Sequence, residues 1–164
     1  MPGSEFLEVP IMKNTHFTRQ ERFIVDWLRF LVIGFLGIGL TFATIPNILF
    51  QYIDSIGLVF FNYKSLPIEE NVFHLWWVLS LTLILVLVVA CFLAQRDWLR
   101  YGQHVPIVIL AKGASFVGLL SLNLLQPTHF FYLVGSIVDG LLFFSTWYFY
   151  AQAIKSRSFT AHTN

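Results

Sequence analysis

The stretch LWWVLSLTLILVLVVACFLA, Leu75 to Ala94, decides the fold: it carries no charge, and its only hydroxyls are those of Ser80 and Thr82. A bilayer's hydrocarbon core of about 30 Å takes roughly 20 apolar residues at a rise of about 1.5 Å each. The stretch is therefore long enough to cross a membrane as a helix. Three further runs of the same kind lie around it, and together they predict spans at residues 23–45, 72–94, 105–125 and 130–152. Composition agrees. Of 164 residues 57% are apolar, 18% aromatic and only 12% charged, whereas a soluble domain averages about 45–50% apolar and about 25% charged. The expected fold is all-α: an integral membrane four-helix bundle solvated by lipid.

The first span opens with Asp26, Trp27 and Arg29, residues suited to a helix end at headgroup level, and stops at Pro46. It is too long for the apolar region of a signal peptide, which runs about 7–15 residues and ends in a small-residue cleavage site. Orientation follows from the basic residues. Lys13, Arg19, Arg22 and Arg29 precede or open the first span, Arg96 and Arg100 fall between the second and third, and Lys155 and Arg157 follow the fourth. The other side has Lys64 against Asp54, Glu69 and Glu70. The positive-inside rule then puts both tails, residues 1–22 and 153–164, in the cytoplasm. Trp76 and Trp77 at one level, and Trp98, Tyr101, Trp147, Tyr148 and Tyr150 at the other, match aromatic belts.

The connections differ. Gln95 to His104 is short and polar, and Gln126 to His129 is a tight turn containing Pro127, so spans two to four are expected as consecutive antiparallel neighbours. The outer connection, 46–71, has room for structure. Its residues 47–61 mix Ile48, Leu49, Phe50, Ile53 and Leu58 with Gln51, Asp54 and Ser55, which reads as an interfacial helix. The competing reading is an outward continuation of the first span beyond a proline kink.

Two charges fall inside spans. Lys112 lies about 10 Å in from one end of the third and Asp139 about 13 Å in from the opposite end of the fourth. In a core of about 30 Å they come within a lysine stem of each other in depth. Charges at such depth cost about 2.5–3.5 kcal/mol each on translocon scales and normally face a bundle interior with a partner. Ala111, Ala114, Ser115 and Gly118 on one span and Gly135, Ser136 and Gly140 on the other permit close helix approach. Lys112, Asp139 and Ser115 therefore form the candidate site. One reading is a buried ion pair that fixes helix register. Another is a polar pocket that binds a lipid, quinone or small-molecule headgroup or relays protons, and a third has Lys112 snorkelling to the surface. The first is favoured.

Histidines raise a cofactor question. His74 and His129 both sit near the outer ends of spans, where they could ligate haem or a chlorophyll-type pigment. A macrocycle usually takes its histidine from within a span, so no cofactor and no metal is expected. The single cysteine, Cys91, supplies no disulfide or redox pair. Zinc-protease, nucleophile-elbow, P-loop and Rossmann patterns are absent, and there is no basic stripe for nucleic acid.

A first span ending at a proline, a second closed by Arg96-Asp97 and Tyr101, Lys112 in the third and Asp139 in the fourth together resemble small four-span bacterial membrane proteins grouped as DoxX-like. The resemblance implies a small helical bundle, with some members associated with quinone-linked respiratory complexes. The expected function is a non-catalytic accessory or scaffold subunit among other membrane proteins. The alternative is a stand-alone bundle that binds or transports a ligand at Lys112 and Asp139.

Overall fold

The computed structural model describes residues 18–63, 70–125 and 129–161, except for the side chains of residues 46, 70–77 and 158–161. The expected turn at 126–128 and most of the polar loop around Pro67 lie outside the described residues, as do the side chains of His74, Trp76 and Trp77. Within them the regular structure is all helical: α1 (Arg19–Thr44), α2 (Pro46–Phe61), α3 (Glu70–Arg96), a single turn α4 (Trp98–Tyr101) running into a 3-10 turn (Gly102–His104), α5 (Val105–Leu125) and α6 (Phe130–Ala161). Helices α1, α3, α5 and α6 each contain a segment long and apolar enough to cross a membrane. Their outward faces are greasy, with Leu110 73%, Leu141 64% and Leu85 61% exposed. Apolar side chains exposed to that extent on every span need lipid or protein against them. The chain is a multi-pass membrane protein built as a four-helix bundle.

Each long helix packs on its neighbours in the chain, and the ring closes through α1 on α6. The α5–α6 and α1–α3 pairings are the most extensive. The core face of α1 carries Ile24, Leu28, Leu31 and Phe35, and that of α3 carries Leu87, Ala90, Cys91 and Ala94. Both sets repeat at three- and four-residue steps, which stack on one side of a helix. Trp98, Val105, Val108 and Ala153 complete the cluster, so the tightest packing lies toward the end of the bundle where α1 starts and α6 finishes.

The helix ends have local causes. At the start of α1, Thr18 Oγ1 accepts from the Glu21 N–H at 3.2 Å while Glu21 Oε2 accepts from the Thr18 N–H at 2.8 Å, a reciprocal capping box. This cap starts α1 at Arg19, before the expected residue 23. Helix α6 runs past the expected residue 152 to Ala161, because Ala153 to Ala161 contains neither glycine nor proline to stop it. Residues 153–161 are thus helix where a tail was expected.

Pro46 disfavours helical geometry at the residue before it, and Ile45 accordingly leaves the helix at φ −139°, ψ 48°. Pro46 then opens α2 as its first residue. The face of α2 formed by Phe50, Asp54, Gly57 and Phe61 meets the chain at residues 129–131. A helix whose successive turns all meet one helix tip lies across that tip. Helix α2 is a separate element over the start of α6, and the reading of residues 47–61 as a continuation of α1 is corrected. It ends at Asn62, which adopts the left-handed conformation (φ 52°) and lets the Tyr63 N–H reach back to the Gly57 carbonyl at 3.1 Å.

Candidate functional site

Lys112 and Ser115 stand three residues apart on α5, so both side chains leave the helix on the same face. That face meets Asp139 on α6. Lys112 Nζ is 2.7 Å from Asp139 Oδ1, and Ser115 Oγ donates to the second carboxylate oxygen in a short hydrogen bond. From α1, the Phe35 ring presents its face to the ammonium, with Nζ 4.9 Å from the ring centroid. The Lys112 and Asp139 side chains keep only 14% and 13% of their surface exposed. Each charge is therefore compensated: the ammonium by a carboxylate and an aromatic quadrupole, the carboxylate by a donor on each oxygen.

Glycines bring the two helices this close. A Cβ at Gly140 would stand 2.9 Å from the Phe116 ring, one at Gly135 3.0 Å from a Leu119 methyl, and one at Gly113 3.0 Å from the Phe143 ring. Gly118 is different: nothing lies within 4 Å of the place its Cβ would take, so it does not serve the α5–α6 seam as expected. Ala114 lines an outward groove instead. On the α3 side, the Cys91 thiol is fully buried.

Two cavities flank the bundle. One, about 600 Å³, runs along the outside of the α5–α6 seam past Pro106, Leu110, Gly113, Val117, Phe143 and Trp147. The other, about 330 Å³, lies between the start of α1 and the late turns of α6. Neither is lined by Lys112, Ser115 or Asp139.

A second polar cluster sits where α2 crosses α6. Asp54 accepts from the backbone N–H of Phe131 through Oδ1 at 3.2 Å, and its Oδ2 lies 3.1 Å from His129 Nδ1. A carboxylate supplied from another helix thus caps the positive end of α6. Nearby, the Tyr63 hydroxyl donates to Asn123 Oδ1 at 3.3 Å. Burial, then the neighbouring Asp54 and Tyr132, hold that hydroxyl above its ordinary pKa, so it remains a donor.

The chain matches no family model, no curated protein and no solved structure. In the Lys112 cluster the acid and the base face each other, with Ser115 on the second carboxylate oxygen and Phe35 beneath the ammonium. His129 is tied to α2 through its Nδ1, which lies on Asp54 Oδ2. Among the described residues no three His, Cys, Asp or Glu side chains converge as metal ligands.

Sequence reasoning singled out Lys112, Asp139, Ser115 and His129, and missed their partners Phe35 and Asp54. Phe35 is one of four phenylalanines in α1, and only its place in the 24, 28, 31, 35 repeat marks it as inward-facing. Asp54 was visible as the polar position of an apolar helix, with nothing to indicate what it meets.

Proposed function

We propose that this chain is a non-catalytic accessory or scaffold subunit of a larger membrane assembly, with both termini in the cytoplasm. The observation that carries the reading is the self-sufficiency of the Lys112–Asp139 pair: Ser115 and Phe35 complete it, and neither cavity reaches it. A pair of that kind fixes the register of two helices, a use that buried ion pairs serve without adding much stability. The other reading, a ligand-binding or transport bundle centred on Lys112 and Asp139, needs a space beside them.

A face for a neighbour is available on α1. At Gly34 and Gly37 an added Cβ would meet nothing within 4 Å, so these glycines indent a helix surface that carries exposed Ile33 and Leu40. Small residues on an open face are what transmembrane helices use to approach one another. The DoxX-like resemblance adds quinone-linked respiratory complexes as the first assemblies to examine.

Purification in mild detergent followed by mass spectrometry of everything that co-migrates tests the proposal. Stable protein partners are expected, and they should be lost in Gly37→Ile while the isolated chain stays folded. A lone chain carrying a bound quinone, with Gly37→Ile indistinguishable from the parent, would overturn it.

A further inference from the structure

The cavity between α1 and α6 has two ends of different chemistry. Arg19, Gln20 and Gln152 form its polar end, and Phe23, Phe149 and Tyr148 its apolar wall. Its depth in the bundle follows from the helices that build it. Arg19 is the first residue of α1 and stands one turn before Phe23, where the apolar stretch of that helix starts, so the polar end sits just outside the boundary between apolar and aqueous surroundings. The wall runs inward from it.

The groove is framed by contacts that hold α1 and α6 together at both of its limits. At the tip, Thr18 Oγ1 and Ser156 Oγ are 3.1 Å apart. Deeper in, Trp27 Nε1 donates to Thr146 Oγ1 at 2.9 Å, and the Trp27 and Phe149 rings pack at 5.5 Å. The space between is therefore a fixed feature of the bundle.

Charge decides what fits. The Arg19 guanidinium lies over the Phe23 ring at 5.6 Å, a stacking that holds the group by its face and leaves its N–H edges available. Among the described residues no carboxylate lies within ion-pair distance of it. Among the described residues, the acidic groups at this end are engaged elsewhere: Glu21 in the capping box, Asp26 with Arg29 at 2.9 Å, and Asp97 with the Arg100 N–H at 3.1 Å. A planar donor fork at headgroup level, two side-chain amides and an aromatic wall match one class of ligand, a molecule with an anionic phosphate head and an apolar chain.

We propose that this groove is a binding site for an anionic phospholipid, its phosphate held by Arg19 with Gln20 and Gln152 and an acyl chain laid along Phe23 and Phe149. The site is distinct from the Lys112 cluster, and its occupancy does not depend on the subunit reading.

Native mass spectrometry of the full chain tests it, with phosphatidylglycerol and phosphatidylcholine of identical acyl chains added to delipidated protein in mild detergent. The chain should retain phosphatidylglycerol in preference to phosphatidylcholine. Arg19→Gln should lower that retention about tenfold, the scale of losing a bidentate charge-assisted contact. Arg19→Lys should fall between, and Arg22→Gln, a cation of the same end outside the groove, should leave retention unchanged. Gln152→Ala, at an exposed position of α6, is an independent second variant and should weaken retention several-fold. Excess inorganic phosphate should not displace the lipid. Equal retention of the two lipids, or equal losses in Arg19→Gln and Arg22→Gln, would overturn the proposal. So would displacement by phosphate, which would assign a free-anion site, or retention unchanged in Arg19→Gln, which would leave the groove to a protein occupant.

Discussion

At the scale of single residues, the arrangement around Asp139 ranks its contacts. The carboxylate has one charged donor, Lys112, and one neutral donor, Ser115. Removing the neutral donor leaves the charges paired, so Ser115→Ala should cost about 1 kcal/mol, the net worth of an ordinary hydrogen bond. Replacing Phe35 by leucine removes the ring face under the ammonium while keeping most of the apolar bulk, with a cost of about 0.5–2 kcal/mol. Both are measurable through Cys91, the single cysteine and fully buried: a thiol-reactive dye labels it only as the bundle opens, so dye fluorescence against temperature gives the melting transition. Lys112 and Asp139 stand out in the sequence because a charge in an apolar run is conspicuous. Their depths put them side by side, and they meet at 2.7 Å. The ring beside them left a fainter trace: its place in the 24, 28, 31, 35 repeat marks Phe35 as inward-facing, but nothing in the sequence says that it meets the ammonium.

At the scale of elements, α2 owes its position to a few contacts at the tip of α6, and Gly57 is the tightest. A Cβ there would stand 2.5 Å from Phe130 Cβ and Cγ, atoms that cannot swing aside as the end of a flexible side chain can. Gly57→Ala should therefore lift α2 off α6, with an overpacking cost of about 1–3 kcal/mol. Asp54→Asn should loosen the same junction by removing the charge that caps α6. Hydrogen exchange in detergent would register both as lost protection confined to α2 and the first turn of α6; unchanged protection in Gly57→Ala would mean that α2 is held some other way. The existence of this helix was legible in residues 47–61, and its break from α1 follows from Pro46. Its seat was not, because it depends on a contact between residues more than 70 positions apart, Asp54 and His129. The ends of α1 and α6 were misjudged for a related reason. Apolar content locates the part of a helix that lies in lipid, whereas the capping box at Thr18 and the absence of a stop after Gln152 decide where the helix itself ends.

At the scale of the whole molecule, the described residues form a ring of four helices in which α1 starts and α6 ends at the same end, with the well-packed core toward that end and α2 laid over the other. The basic residues predict which end faces the cytoplasm. Fluorescent reporters fused at either terminus should fold and fluoresce, and a periplasmic alkaline phosphatase inserted after Asn62 should be active, whereas the reverse pattern would invert the orientation. The central claim is that the charges inside the bundle are a structural lock. A double-mutant cycle on Lys112→Met and Asp139→Leu, read by the Cys91 melting transition, tests that claim most directly. Each single change strands a buried charge and should cost about 3–5 kcal/mol, while the double variant, with the pair replaced by apolar side chains, should return to within about 1 kcal/mol of the parent and keep its association with partners. A double variant as unstable as the two single losses added together, or a stable double variant that no longer associates, would contradict a purely structural pair.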